Sequence, residues 1–379
     1  MSEDRDCVLI INNGSSSIKF AVYTLSLKIV YTGMVSGIGG EDMRLKIKDA
    51  LGTTTEKPLN SHELKDAANN IIDWLESALS IAQIHAVGHR IVHGMQHMQP
   101  EIITDALISE LESYSWYDPD HIVGELILIR TIATRCPGLK QVACFDTSFH
   151  ASMPRIARLF PIPRHYAEAG IIRYGFHGIS FTYILQKIQA LITDTHVQAN
   201  KMIFAHLGSG SSLVAVKEGK SIDTTMGFTP AGGCMMGTRS RDLDPGVVWH
   251  IMQHNHLSVE ELNHVINHQS GLLGISGTSF DMEKLLAQEK YEDLQAGEAV
   301  DMYCYSVKKW LGALAAVLNG MDILIFTGGI GENSAEVRKR ICADMGYMGI
   351  KLDGAKNERG ANAYICRHKR GTDICLTHE

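Results

Sequence analysis

Apolar positions fall into two rhythms that alternate along the chain. Residues 61–80 place Leu64, Ala68, Ile71, Leu75 and Ala78 at helical spacing, with Ser61 as the expected cap. His85 to Val92 then reads as a strand. The alternation continues with a helix near 121–134, a strand at 139–145, and helices near 178–191, 245–268 and 290–319. It predicts an α/β fold.

One pattern occurs twice. The run Val8 to Ile11 leads into NNGSSS and then IKFAVY, and the run Met202 to Phe204 leads into AHLGSGSS and then LVAVK. Each reads as strand, small-residue turn, strand. Either turn alone is an ordinary hairpin. Two of them predict a duplicated α/β domain whose loops face one cleft and aim backbone N–H groups at a phosphate. The division is expected at Asp146, giving domains 1–145 and 146–379.

A chain of 379 residues with 45% hydrophobic content is long enough for two cores. Its net charge of -7 provides no basic field for nucleic acid, so an anion site must be local. Asn12, Asn13 and Gly14 break the first apolar run before it reaches signal-sequence length, and Asn319 and Asp322 interrupt the most apolar region. Eight cysteines without a CxxC pair show neither zinc nor redox spacing. A soluble cytoplasmic protein with no membrane or nucleic-acid partner is expected.

Five segments carry a charged or imidazole side chain at the end of an apolar run, four of them together with glycine: NNGSSSIKF, GHRIVHG, FDTSFH, YGFHG and MGTRSRDLDPG. A sixth, FTGGIGENS, follows an apolar run and opens a helix, a combination that suits phosphate or nucleotide. In this order, from about Val8 to the last residue, they resemble the acetate kinase family. The resemblance implies duplicated ribonuclease H-like domains of the actin-like ATPase type, facing each other across a nucleotide cleft. It also implies transfer of the ATP γ-phosphoryl group to acetate, with Mg2+ or Mn2+, in a homodimer.

The residue types suit that chemistry. A carboxylate is already ionised at neutral pH and needs no general base, whereas two anions meeting in line need positive charge and hydrogen-bond donors. By resemblance, Asp146, Arg90, Arg239, His177 and His121 are catalytic, and Arg90, Val92, Asp120, Phe176 and Pro230 surround the acyl group. Asn12, Gly14, Ser15 and Ser17 form the first phosphate loop, and Asn12, Asp146 and Glu379 order the metal. The nucleotide falls to Lys19, His206, Leu207, Gly208, Ser209, Gly210, Asp281, Glu283, Gly329, Ile330, Gly331 and Asn333.

The chain departs from the family pattern at four places. Ser209 replaces an asparagine and Glu283 replaces an arginine that lies against adenine, which keeps pyrophosphate or relaxed nucleotide use open. Arg241 replaces a glycine, and Asp120 replaces a leucine. The chain stops at Glu379, where family members continue into a closing helix, so a truncated product is expected. A propionate or other short-chain acyl kinase is the alternative enzyme. A non-catalytic nucleotide-binding regulator is the alternative outside enzymes.

Overall fold

The structure is a computed structural model that describes residues 6–14, 16–79, 81–195, 200–359, 364–366 and 373–376. Side chains at 119–120, 190–195, 364–366 and 373–376 are not among those described. The chain divides into residues 1–148 and 149–379. Asp146, expected to open the second domain, has its partners in the first unit: its N–H donates to Ile91 O and its carboxylate accepts from Arg90.

In the first unit, strands β1 (Cys7–Asn13), β2 (Ser17–Thr24), β3 (Ile29–Ser36), β4 (Arg44–Asp49), β5 (Thr54–Pro58), β6 (Ile84–Ile91), β7 (Glu101–Ile102) and β8 (Lys140–Phe145) form one sheet. Their order is β5-β4-β3-β2-β1-β6-β8-β7. Alternation along β1 turns Leu9 and Ile11 into the core and leaves Ile10 and Asn12 on the other face. One face packs Ile18, Phe20 and Val22 with Ala68, Ile71 and Leu75 of the helix Leu64–Ala78. Each such aliphatic burial contributes roughly 1.5–3 kcal/mol. Ile91, Leu107, Ile122, Leu126, Ile129 and Phe145 form a second cluster with the helices Asp105–Ser113 and Pro119–Arg135.

The second unit repeats the plan. Strands β9 (Lys201–Leu207), β10 (Ser211–Lys217), β11 (Lys220–Thr224), β12 (Ile323–Thr327), β13 (Tyr364–Cys366) and β14 (Asp373–Leu376) lie in the order β11-β10-β9-β12-β14-β13. β1 pairs antiparallel with β2 and parallel with β6; β9 pairs antiparallel with β10 and parallel with β12. The outermost strands β7 and β13 are also antiparallel to their neighbours. The helix Leu294–Leu318 lays Val300, Tyr303, Val307, Leu311, Leu314 and Leu318 on one side of this core, and Phe181, Ile184 and Ile188 of the helix Gly178–Thr195 pack with Phe204 and Val214.

Two expected elements change. The helix expected over 245–268 is two, Pro245–His254 and Val259–His268. His256 takes a φ of 53°, and Ser258 restarts the chain with a capping box to Glu261. Ser61 is not a cap, because the first long helix begins at Leu64 behind Glu63, and the Ser61 hydroxyl donates to Asp66 instead. No helix among the described residues is long and apolar enough to cross a membrane.

Candidate functional site

In the first unit the site grows from the ends of three adjacent parallel strands, β1, β6 and β8. Arg90 donates from Nε and Nη2 to one oxygen of Asp146, at 2.9 and 2.6 Å, and from Nη1 to Asn12 Oδ1 at 3.0 Å. The guanidinium thus sits fixed with part of its surface open, while Asp146 is buried. Burial opposes its charge, but Asp146 more than compensates and holds its pKa above the ordinary range. Gly14 N–H turns back to Ser17 O at 2.7 Å, and Lys19 stands opposite Asn12 in the β1–β2 register.

The helix Pro119–Arg135 supplies the next groups. His121 Nδ1 lies 2.8 Å from Asp118 Oδ1, and because a carboxylate only accepts, this nitrogen carries the proton and Nε2 points elsewhere. His121 therefore pairs with Asp118. One turn deeper, Glu125 accepts the Val92 N–H at 3.0 Å. Asn13 packs so closely on this helix that a side chain at Gly124 would come within 2.5 Å of its amide nitrogen.

In the second unit a glycine turn gathers the chemistry. His177 holds a φ of 61° just ahead of the helix Gly178–Thr195, its Nδ1 is 2.9 Å from Ser212 Oγ, and its ring stacks on His206 at 4.2 Å. His206 in turn meets Ser180 Oγ at 3.0 Å. A Cβ at Gly210 would lie 3.3 Å from His177 Nε2 and 3.7 Å from an Arg239 nitrogen. Turn, imidazole and guanidinium therefore converge on one place. Arg239 also donates to Pro230 O at 3.3 Å, and Phe176 is buried with its carbonyl accepting from His150.

The turn itself is braced from below and beside. Ser211 Oγ donates to Gly208 O and meets the buried Tyr303 hydroxyl at 2.8 Å, and Gly237 N–H donates to the exposed Ser209 O. Gly328, at φ 75°, lies against Leu207, where any Cβ would come within 2.7 Å of its carbonyl. Gly329 and Asn333 are exposed, Ile330 is half-buried and Gly331 is buried. Arg338 is buried behind this turn and donates to the carbonyls of Gly331 and Glu332 and to Asn357, each at 2.8 Å. Asp281 caps the helix Met282–Glu289 by accepting from Glu283 and Lys284 N–H, and Glu283 is exposed.

The structure thus brings together Asn12, Arg90 and Asp146 in one unit, and His177, His206, Gly210 and Arg239 in the other. Val92 and His121 adjoin the first set, and Pro230 and Phe176 the second. Ser15, Glu379 and the Asp120 side chain lie outside the described residues. Sequence reasoning missed Asp118, Glu125, Ser212 and Arg338. The sequence held a signal for the last, since Arg338 follows Val337 and precedes Ile341 on an apolar stripe.

Two units of like strand order, each with a small-residue turn between its first two strands, define a duplicated ribonuclease H-like protein of the actin-like ATPase class. The sequence model of the Acetokinase family matches residues 7–377. An acetate kinase of Rhodopseudomonas palustris is 39% identical over 367 residues, covering 94% of this chain and 91% of that protein. The crystal structure of Porphyromonas gingivalis acetate kinase matches with a TM-score of 0.87 at 34% identity, over 98% of this chain and 96% of that one. A propionate kinase from Francisella tularensis matches with a TM-score of 0.91 at 33% identity, over the same shares. The chain belongs to the acetokinase family and is a kinase.

Proposed function

We propose that the chain transfers the γ-phosphoryl group of ATP reversibly to acetate, giving acetyl phosphate and ADP, as a cytoplasmic homodimer. The observation that carries this reading is the Arg90 clamp: a guanidinium fixed by Asp146 and Asn12, with surface left for an anion. Arg90 orients the acetate carboxylate as nucleophile. Val92, buried just beyond the end of β6, gives the methyl group an apolar neighbour. Arg239 and His177 neutralise charge on the phosphoryl oxygens as the group moves, and the His206–Gly210 turn offers N–H groups to the nucleotide phosphates.

Magnesium fits the donor set, because it binds through one or two oxygen side chains plus phosphate and water. Asp146 gives Arg90 only its Oδ2, and Asn12 supplies a second oxygen, so these two residues would hold the ion. When bound, it neutralises phosphate charge and fixes the polyphosphate. Among the described residues no group of three His, Cys, Asp or Glu side chains could hold a metal ion without further ligands.

The hydroxamate assay for acyl phosphate tests the reading, run with acetate, propionate and butyrate against ATP, GTP and pyrophosphate. Hydroxamate formed from acetate and ATP supports it. A higher kcat/KM for propionate would reassign the acid, activity only with pyrophosphate would reassign the donor, and no product from any pair would favour a nucleotide-binding regulator.

A further inference from the structure

We propose that Glu125 is a positioning residue of the acceptor half-site: one oxygen holds the backbone at Val92, and the other keeps a proton so that Arg90 can receive an anion. The proposal rests on Arg90 being the carboxylate's partner, as read above.

Arg90 stands among three carboxyl groups, with Asp146 bonded to it and Glu125 and Asp118 close enough to act on its charge. Were all three ionised, an incoming anion would meet net negative charge. Asp146 is matched by Arg90, and Asp118 accepts a hydrogen bond from the Nδ1–H of His121, which steadies its charge without cancelling it. Glu125 has no hydrogen-bonded cation among the described residues. Its Oε1 accepts from Val92 N–H, its Oε2 has no hydrogen-bond partner there, and the residue is only 2% exposed.

An ionised carboxylate buried with one bare oxygen is costly, and binding a proton removes most of that cost. Burial accordingly pushes the Glu125 pKa up to about 8; Val92 N–H and Arg90 pull it down, while Asp118 and Asp146 push it further up. The groups facing it are Arg90 from β6, Asp146 beyond β8, and Asp118 with its partner His121 from its own helix. At neutral pH it is an uncharged brace. Above its pKa a negative charge appears beside Arg90, which weakens acetate binding and leaves the phosphoryl-transfer groups untouched.

Glu125→Gln keeps an oxygen for Val92 N–H and removes the titration. Between pH 7 and pH 9 the wild-type acetate KM should rise about tenfold, at one factor of ten per pH unit beyond the pKa, with kcat changing less than about twofold. The Gln variant should keep a flat KM. A flat wild-type profile, or a variant that rises equally, overturns the proposal. Should the variant fail to fold, proton uptake by the wild type on acetate binding at pH 8.5, measured in weak buffer, replaces it. Uptake of a sizeable fraction of a proton supports the proposal, and none overturns it. Absence of acetate-dependent turnover at pH 7 instead refutes the functional reading itself.

Discussion

Arg338 should be worth more to this protein than any other single charged side chain of the second unit. It is buried, and burial lowers its pKa, yet its partners are carbonyl oxygens and an amide. Arg338→Met keeps much of the apolar stem and removes four hydrogen bonds, stranding the oxygens of Gly331 and Glu332 and both oxygens of Asn357. Each stranded buried acceptor costs about 1 kcal/mol or more, and relief from burying a charge offsets part of the sum. A net loss of about 3–4 kcal/mol is expected, of the size seen when one partner of a buried polar network is removed. Urea denaturation at unchanged slope would read it as a lower midpoint. ATP affinity should fall as well, because two of the four bonds end on the Gly328–Asn333 turn. A loss below about 1 kcal/mol with unchanged ATP affinity would refute the idea that this guanidinium holds the turn in place.

Arg239→Ala should cut turnover by ~10³ or more in a folded protein, since it removes charge from the place where His177 and the turn converge; near-normal turnover would sink that role. Arg241 has a φ of 100°, a conformation glycine adopts freely, so Arg241→Gly should raise stability by about 1 kcal/mol, and a lower denaturation midpoint would contradict it. Glu125 has a folded pKa of about 8 against 4.5 unperturbed, so its stabilisation is complete below the lower value and is lost as pH rises through the upper. Between those values wild-type stability should fall relative to Glu125→Gln by about 1.4 kcal/mol per pH unit, and parallel curves would refute it.

The duplication was legible because its signal is local: β-branched runs punctuated by glycine and serine mark both hairpins directly. The break at 255–258 was missed, since apolar residues continue through both helices, although Ser258 and Glu261 spelled a helix start. Residue types at the site could be read, but their partners could not. Arg90 reaches Asp146 across 56 residues because β6 and β8 are neighbours with Arg90 opposite Cys144, a register no local pattern records. Glu125 was missed, because helical spacing marks Ile122, Leu126 and Ile129 and says nothing of a polar residue turned inward among them. Asp118 was passed over because it stands next to a proline at a helix start, where an acidic residue is commonplace.

The paired hairpins give the molecule an internal comparison. Three residues link β1 to β2 and three link β9 to β10, and a Cβ at Gly14 or at Gly208 would crowd a carbonyl of its own turn at 3.3 or 3.4 Å. Asn12 and His206 each stand one residue before the strand end, opposite Lys19 in the first hairpin and Ser212 in the second. The turns close differently, Gly14 N–H reaching Ser17 O and Gly208 N–H reaching Gly210 O, yet each carries a functional side chain at the same place on its first strand, so position and chemistry can be separated within one chain. Alanine at either glycine should tax its own turn, whereas exchanging Asn12 and His206 would leave each hairpin intact and move only the functional group it presents.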